Sequence, residues 1–212
     1  MYKAVEPFIE AAAYIVDGAC LSMLFAKFGV KRIQRGIWTC ILTILAWSAA
    51  NMLIRYFVFS DLPYTLEKSL ISFLLHSAAI YLIGLGLYSG RQVIRLFLTL
   101  LFIALLYVIS EVGHGIRLFL VDGVEKLSMR HEAFQNITTV KIILDSIYIF
   151  IDIAAVALFY FSIKSIVNNH RRPAESRSAK EFIFGILPAL LGSLVSVALY
   201  FMILLINEQG HI

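Results

Sequence analysis

Nine ionisable residues fall inside long apolar stretches: Glu10, Asp17, Arg55, His76, Glu111, His114, Arg117, Asp145 and Asp152. A charge in lipid is costly, so such residues mark function by default. Glu10 and Asp17 are seven apart and share a helix face, as do Asp145 and Asp152. Glu111, His114 and Arg117 step by three and form one drifting stripe. Carboxylates, imidazoles and guanidinium groups at matching depth can line a hydrated vestibule and hold a polar ligand. Seven of the nine, Glu10, Arg55, His76, Glu111, His114, Arg117 and Asp145, are therefore predicted to bind ligand from one side of the membrane. Asp17 and Asp152 are predicted near mid-depth. Two other readings of the same residues stay open. Arg55 and Arg117 could simply pair with Glu10, Glu111 or Asp145 to fix helix packing. Or the set could relay protons or ions.

Other chemistries are poorly served. Glu111-Val112-Gly113-His114 has the Glu-x-x-His spacing of carboxylate-bridged metal sites, but no second such pair occurs in an apolar run, so no metal is predicted. Cys20 and Cys40 cannot form a metal cage and suggest no disulfide. Ser110 has His114 one turn away but no base fixed by sequence, so no catalytic residue and no enzyme activity are assigned. No glycine-rich phosphate loop is present, and no cofactor or nucleic-acid partner is indicated. Gly84-Leu85-Gly86 sits in an apolar run, where small residues permit close helix packing. Gly185, Pro188, Gly192, Ser193 and Ser196 predict a small-faced helix kinked near Pro188.

The elements that carry these residues follow from composition. Of the 212 residues, 60% are hydrophobic and only 15% charged, with a mean hydropathy of +0.86. Soluble domains are about 45–50% apolar and about 25% charged. An ordinary cytosolic enzyme, a disordered chain and a disulfide-stapled secreted module are all excluded. Six runs, 7–28, 37–59, 70–88, 96–120, 142–163 and 182–206, reach membrane length. They lack the period-2 alternation of barrel strands, so the fold class is all-α, a polytopic bundle of about six transmembrane helices in a single domain. Eleven of the 18 Lys and Arg residues fall on one side, ten of them in three alternate links near Lys31, Arg91 and Arg171 and Lys27 just inside the first run. That side is predicted to be cytoplasmic, and both termini then lie outside a multi-pass cell-membrane protein. The basic link 164–181 reads as an anchor on an anionic lipid leaflet. The longest outer loop, 121–141, could hold a short amphipathic helix.

Three stretches carry a family resemblance: Ile9-Glu10-Ala11 running to Lys31-Arg32; Gly90-Arg91-Gln92 followed by a long helix with Ile109-Ser110-Glu111; and Leu187-Pro188-Ala189 with Ser193 and Ser196. Together they resemble the N-terminal membrane sensor region of GHKL-type sensor histidine kinases, the group that includes peptide-pheromone receptors. The resemblance implies a bundle that receives an extracellular signal, often a short peptide, with Glu111 and more loosely Glu10 facing the signal side. It implies a homodimer, a cytoplasmic kinase or a response regulator as partners, in two-component signal transduction. It transfers no catalytic residue, because these 212 residues hold no phosphoacceptor helix or ATP-binding domain. Six spans leave the C-terminus outside, so a following kinase would require a seventh. The expected function is a membrane-embedded sensor module with an outward-facing polar vestibule. The rival is a small transporter, or the substrate-binding subunit of a vitamin or ion transporter, for which mid-depth Asp17 and Asp152 speak best.

Overall fold

A computed structural model describes residues 2–28, 30–31, 36–59, 66–130 and 137–169. The predicted sixth span, 182–206, with Pro188 and its small-residue face, lies outside the described residues. The elements in order are α1 (Tyr2–Phe28), β1 (Val30–Lys31), α2 (Gly36–Phe59), α3 (Leu66–Leu87), β2 (Tyr88–Ser89), α4 (Gln92–Arg130) and α5 (Ile137–Asn169). Continuously apolar runs leave no water to bond the backbone, so a helix satisfies its own N–H and C=O groups. Among the described residues four helices are long and apolar enough to cross a membrane, over Val5–Phe28, Gly36–Phe57, Gln92–Arg117 and Val140–Asn168. The apolar part of α3, Ile71–Leu87, is shorter.

The helices overrun the predicted spans where chemistry permits. α1 begins at Tyr2, ahead of Pro7. The missing proline N–H leaves one carbonyl of the first turn unbonded, a small loss so near a helix end. α4 runs unbroken through Asp122, Glu125 and Lys126 to Arg130, where the sequence suggested a separate loop helix. Lipid ends where charges begin, but a helix that enters water can continue.

The helices form a closed ring: α1 packs on α2, α2 on α3, α3 on α4, α4 on α5, and α5 returns to α1. The apolar core fills the half of the ring near the α1–α2 and α3–α4 links. Leu21, Leu24 and Phe25 of α1, Leu98, Leu101 and Phe102 of α4, and Phe159 and Ile163 of α5 are buried there with Trp47 and Ile80. The Phe102 ring stands edge-on to Trp47 at 5.8 Å and to Phe159 at 5.1 Å. Between helices in lipid, dispersion and close fit hold such a core, since lipid tails are as apolar as leucine. Phe8, Phe57, Phe119, Phe150 and Phe161 point outward and remain exposed, as lipid-facing side chains would.

Two links are tied together at this end. β1 pairs antiparallel with β2, Val30 opposite Ser89 and Lys31 opposite Tyr88. Two of the basic links thus sit at the same end of the ring. Gly90 follows with φ 155°, a backbone that side chains rarely tolerate. Arg95, at the start of α4 beside this link, is buried. Its Nη2 donates to the carbonyls of Tyr88 and Gly90, both at 3.3 Å. Those carbonyls lie just past the end of α3, where a cation also suits the negative end of the helix dipole.

Tyr88 joins three helices at this end. Its hydroxyl donates to Ser22 Oγ at 3.0 Å and lies 3.0 Å from Thr43 Oγ1. Its ring packs on Phe25 at 5.4 Å. Tyr88→Phe keeps the ring and deletes the hydroxyl. The expected loss is about 1 kcal/mol, the net worth of a buried hydrogen bond, and thermal unfolding of the detergent-purified chain would measure it.

Candidate functional site

On α1, residues 6, 9, 10, 13 and 17 recur at helical spacing and so lie on one face. On α4, 106, 109, 110, 113 and 117 do the same, and on α5, 151, 152, 155, 156 and 159. The ring turns these three faces toward one another around a half-open cavity of about 370 Å³. Its polar lining is Glu6, Glu10, Asp17, Ser110, Arg117 and Asp152, and its walls are Ile9, Leu106, Ile109, Ile151, Val156 and Phe159.

Two ion pairs organise the polar groups. Arg55 of α2 donates from Nη1 to Glu10 Oε2, at a half-exposed position. Arg117 of α4 donates from Nη2 to Asp152 Oδ1 of α5, with each side chain about one-quarter exposed. The Arg117 guanidinium also stacks over the Tyr148 ring, 4.9 Å from its centre. Its Nε is buried without a partner among the described residues.

Asp17 differs from the other acids. It is 8% exposed and lines the cavity. Among the described residues it has no hydrogen-bond or ion-pair partner. It lies eleven residues beyond Glu6 on α1, about 16 Å at helical rise. Beyond it the helix continues as buried Cys20, Leu21, Leu24 and Phe25. The cavity is therefore blind toward the linked end of the ring.

The structure sorts the predicted residues by azimuth around the ring. Glu10 and Arg117 line the cavity, together with the two mid-depth acids Asp17 and Asp152. Arg55 holds Glu10 from α2 without itself lining the space. His76 sits elsewhere, between α2, α3 and α4. Its Nε2 lies 3.1 Å from Asn51 Oδ1, and its Nδ1 lies 2.7 Å from the Ser72 carbonyl and 3.1 Å from the Ser72 hydroxyl. Asn51 in turn donates from Nδ2 to the Trp47 carbonyl at 2.8 Å. The Trp47 and Tyr107 rings flank the imidazole at 5.7 and 6.4 Å. That lattice joins helices, and none of its residues lines the cavity. Asp145, one face-repeat before Asp152, does not line the cavity either. Glu111 and His114 are placed on α4 by backbone only, and their side chains lie outside the described residues.

Glu6 falls just outside the predicted run 7–28 and is absent from the predicted ligand residues. Its signal was the four-residue spacing to Glu10, which puts both on one face once α1 is known to begin before Pro7. The small-residue reading is divided. A Cβ on Gly84 would come 2.5 Å from the Phe25 ring, whereas Gly86 has nothing within 4 Å. The approach that meets backbone rather than a side chain lies at Gly18, beside Asp17, where a Cβ would meet the Ile44 Cα at 2.7 Å. Among the described residues no three His, Cys, Asp or Glu side chains converge as metal ligands. Comparison with known proteins adds no relative: no family model, no curated protein and no solved structure matches the chain.

Proposed function

We propose that the chain is a multi-pass receptor module of the cell membrane, with six spans counting 182–206, that takes a ligand into the α1–α4–α5 cavity. The observation that carries this reading is the blind end. A polar space that opens near Glu6 and stops at Asp17, above a packed apolar core, suits capture of a ligand better than passage of one. Three helices share the lining, so an occupant would bear on all of them at once. It would favour one arrangement of the ring over another in proportion to its differential affinity. Predicted orientation puts the mouth outside and the tied links inside, as an inward-reporting sensor of the two-component type requires. A kinase, a response regulator or a second copy of the chain is the proposed partner.

Filling the cavity tests this without knowledge of the ligand. Ala13→Phe would place a ring in the empty space. Spin labels at exposed Arg91 and Lys164 would then report a change in separation of about 1–2 Å, the usual size of interhelical shifts in switching proteins. Unchanged separations would remove the receptor reading. Transport is the second reading, favoured by the depth of Asp17 and Asp152. Saturable uptake of a cation such as benzamidinium into liposomes bearing the chain, above the rate in liposomes without it, would establish it instead.

A further inference from the structure

We propose that this cavity selects a cationic ligand, a protonated amine, amidine or guanidine on an apolar body, with the cation seated against Asp17. The proposal names the ligand class for the receptor just described, and rests on that reading for the consequence of binding but not for binding itself.

Charge counting leads there first. Four carboxylates, Glu6, Glu10, Asp17 and Asp152, face the space. The two guanidinium groups within reach are committed, Arg55 to Glu10 and Arg117 to Asp152. Glu6 at the mouth and Asp17 at the floor have no cation of their own among the described residues. Acids alone would not define a site. The second observation is Asp17 itself, a carboxyl more than nine-tenths buried, lining an open space, with no hydrogen bond from any described group. A carboxylate so placed without a counter-charge is expensive. An entering cation supplies that charge and hydrogen-bond donors together, which a neutral or anionic ligand would not.

The walls define the rest of the ligand. Ile9, Leu106, Ile109, Val156 and Phe159 offer apolar surface and, in Phe159, a ring. They suit a hydrocarbon or aromatic body and give nothing to a hydrated inorganic ion. The lack of three converging ligands among the described residues argues against a divalent metal for the same reason. Glu6 would draw the cation to the mouth, and Asp17 would hold it at the blind end. The ammonium can come from a soluble amine, including a basic peptide, or from a phosphatidylethanolamine headgroup.

Three isosteric probes test the charge: benzamidinium, neutral benzamide and anionic benzoate. Calorimetric titration of the full chain in a non-ionic detergent should show saturable benzamidinium binding. Benzamide and benzoate should bind at least tenfold more weakly. Asp17→Asn should lose tenfold or more of the benzamidinium affinity, and Ala13→Phe should abolish it. Should Asp17→Asn fail to fold, Glu6→Gln at the solvated mouth should still weaken binding severalfold. Equal affinity for benzamide, or undiminished binding by folded Asp17→Asn, would overturn the proposal. Nanodiscs separate the two sources. Loss of probe binding when phosphatidylethanolamine is added to phosphatidylglycerol discs assigns the site to the lipid headgroup; unchanged binding assigns it to a soluble cation. Benzamidinium binding without movement of the Arg91 and Lys164 labels would sink the receptor reading and leave the cation site standing. Label movement in Ala13→Phe without benzamidinium binding by the parent chain would do the reverse.

Discussion

Gly18→Leu should destabilise the bundle more than any other single exchange of a small residue described here. Even the first carbon of the new side chain would stand 2.7 Å from the Ile44 Cα, closer than real Cβ atoms come to a backbone atom. A side chain in the way can rotate, but a backbone can yield only if α1 and α2 move apart. Overpacking of a tight core costs about 1–3 kcal/mol, occasionally more, and a backbone-to-backbone clash belongs at the upper end. Separation of α1 from α2 would also move Asp17, the neighbour of Gly18, and pull Glu10 from Arg55. Gly113→Ala is the matched control. Its new methyl would meet Ile151 Cγ2 at 3.6 Å and Ala155 Cβ at 3.9 Å, ordinary contacts. Alanine gains up to about 1 kcal/mol over glycine in a helix interior. Thermal unfolding in detergent should therefore fall steeply for Gly18→Leu and hold or rise for Gly113→Ala. Equal loss for both would mean that the close approach of α1 and α2 does not govern stability.

The second large effect is an asymmetry within one ion pair. Arg117→Gln should cost about 2–4 kcal/mol, because removal of one partner of a largely buried pair strands the other charge. The group that loses its guanidinium here is Asp152, in a space that already holds Glu6, Glu10 and Asp17. Asp152→Asn should cost clearly less. Arg117 then loses one carboxylate but keeps other acids around the same cavity and its stack on Tyr148. The double exchange Arg117→Gln with Asp152→Asn should recover part of the loss, and a double-mutant cycle would read the coupling directly. Equal single-exchange losses would show that the acidic surroundings do not set the energetics of Arg117.

The same two sites show what hydropathy can and cannot carry. The run 37–59 predicts α2 at Gly36–Phe59 almost to the residue, because lipid forces a helix wherever the chain stays apolar. Helix ends in water were misplaced, as at Arg130 of α4, because loss of hydropathy marks the lipid boundary and not the last hydrogen-bonded turn. Shared faces were also legible. Glu10 and Asp17 were expected on one side of α1, and both line the cavity. The partner of Arg117 was not foreseen. Glu10, Glu111 and Asp145 were the candidates, and the structure supplies Asp152. Nothing in one helix states which face of the next it meets.

The sequence by itself determined that the chain is helical, rich in spans of membrane length, and polar at intermediate depth on several of them. Rise along a helix is fixed at about 1.5 Å per residue, so depth can be counted from the chain alone. Rotation of each helix about its axis was settled only in the folded ring. Side-chain fit at contacts such as Gly18 on Ile44 sets that angle. It turned Asp17 and Asp152 into a shared cavity, and it sent His76 into a lattice with Asn51 and Ser72.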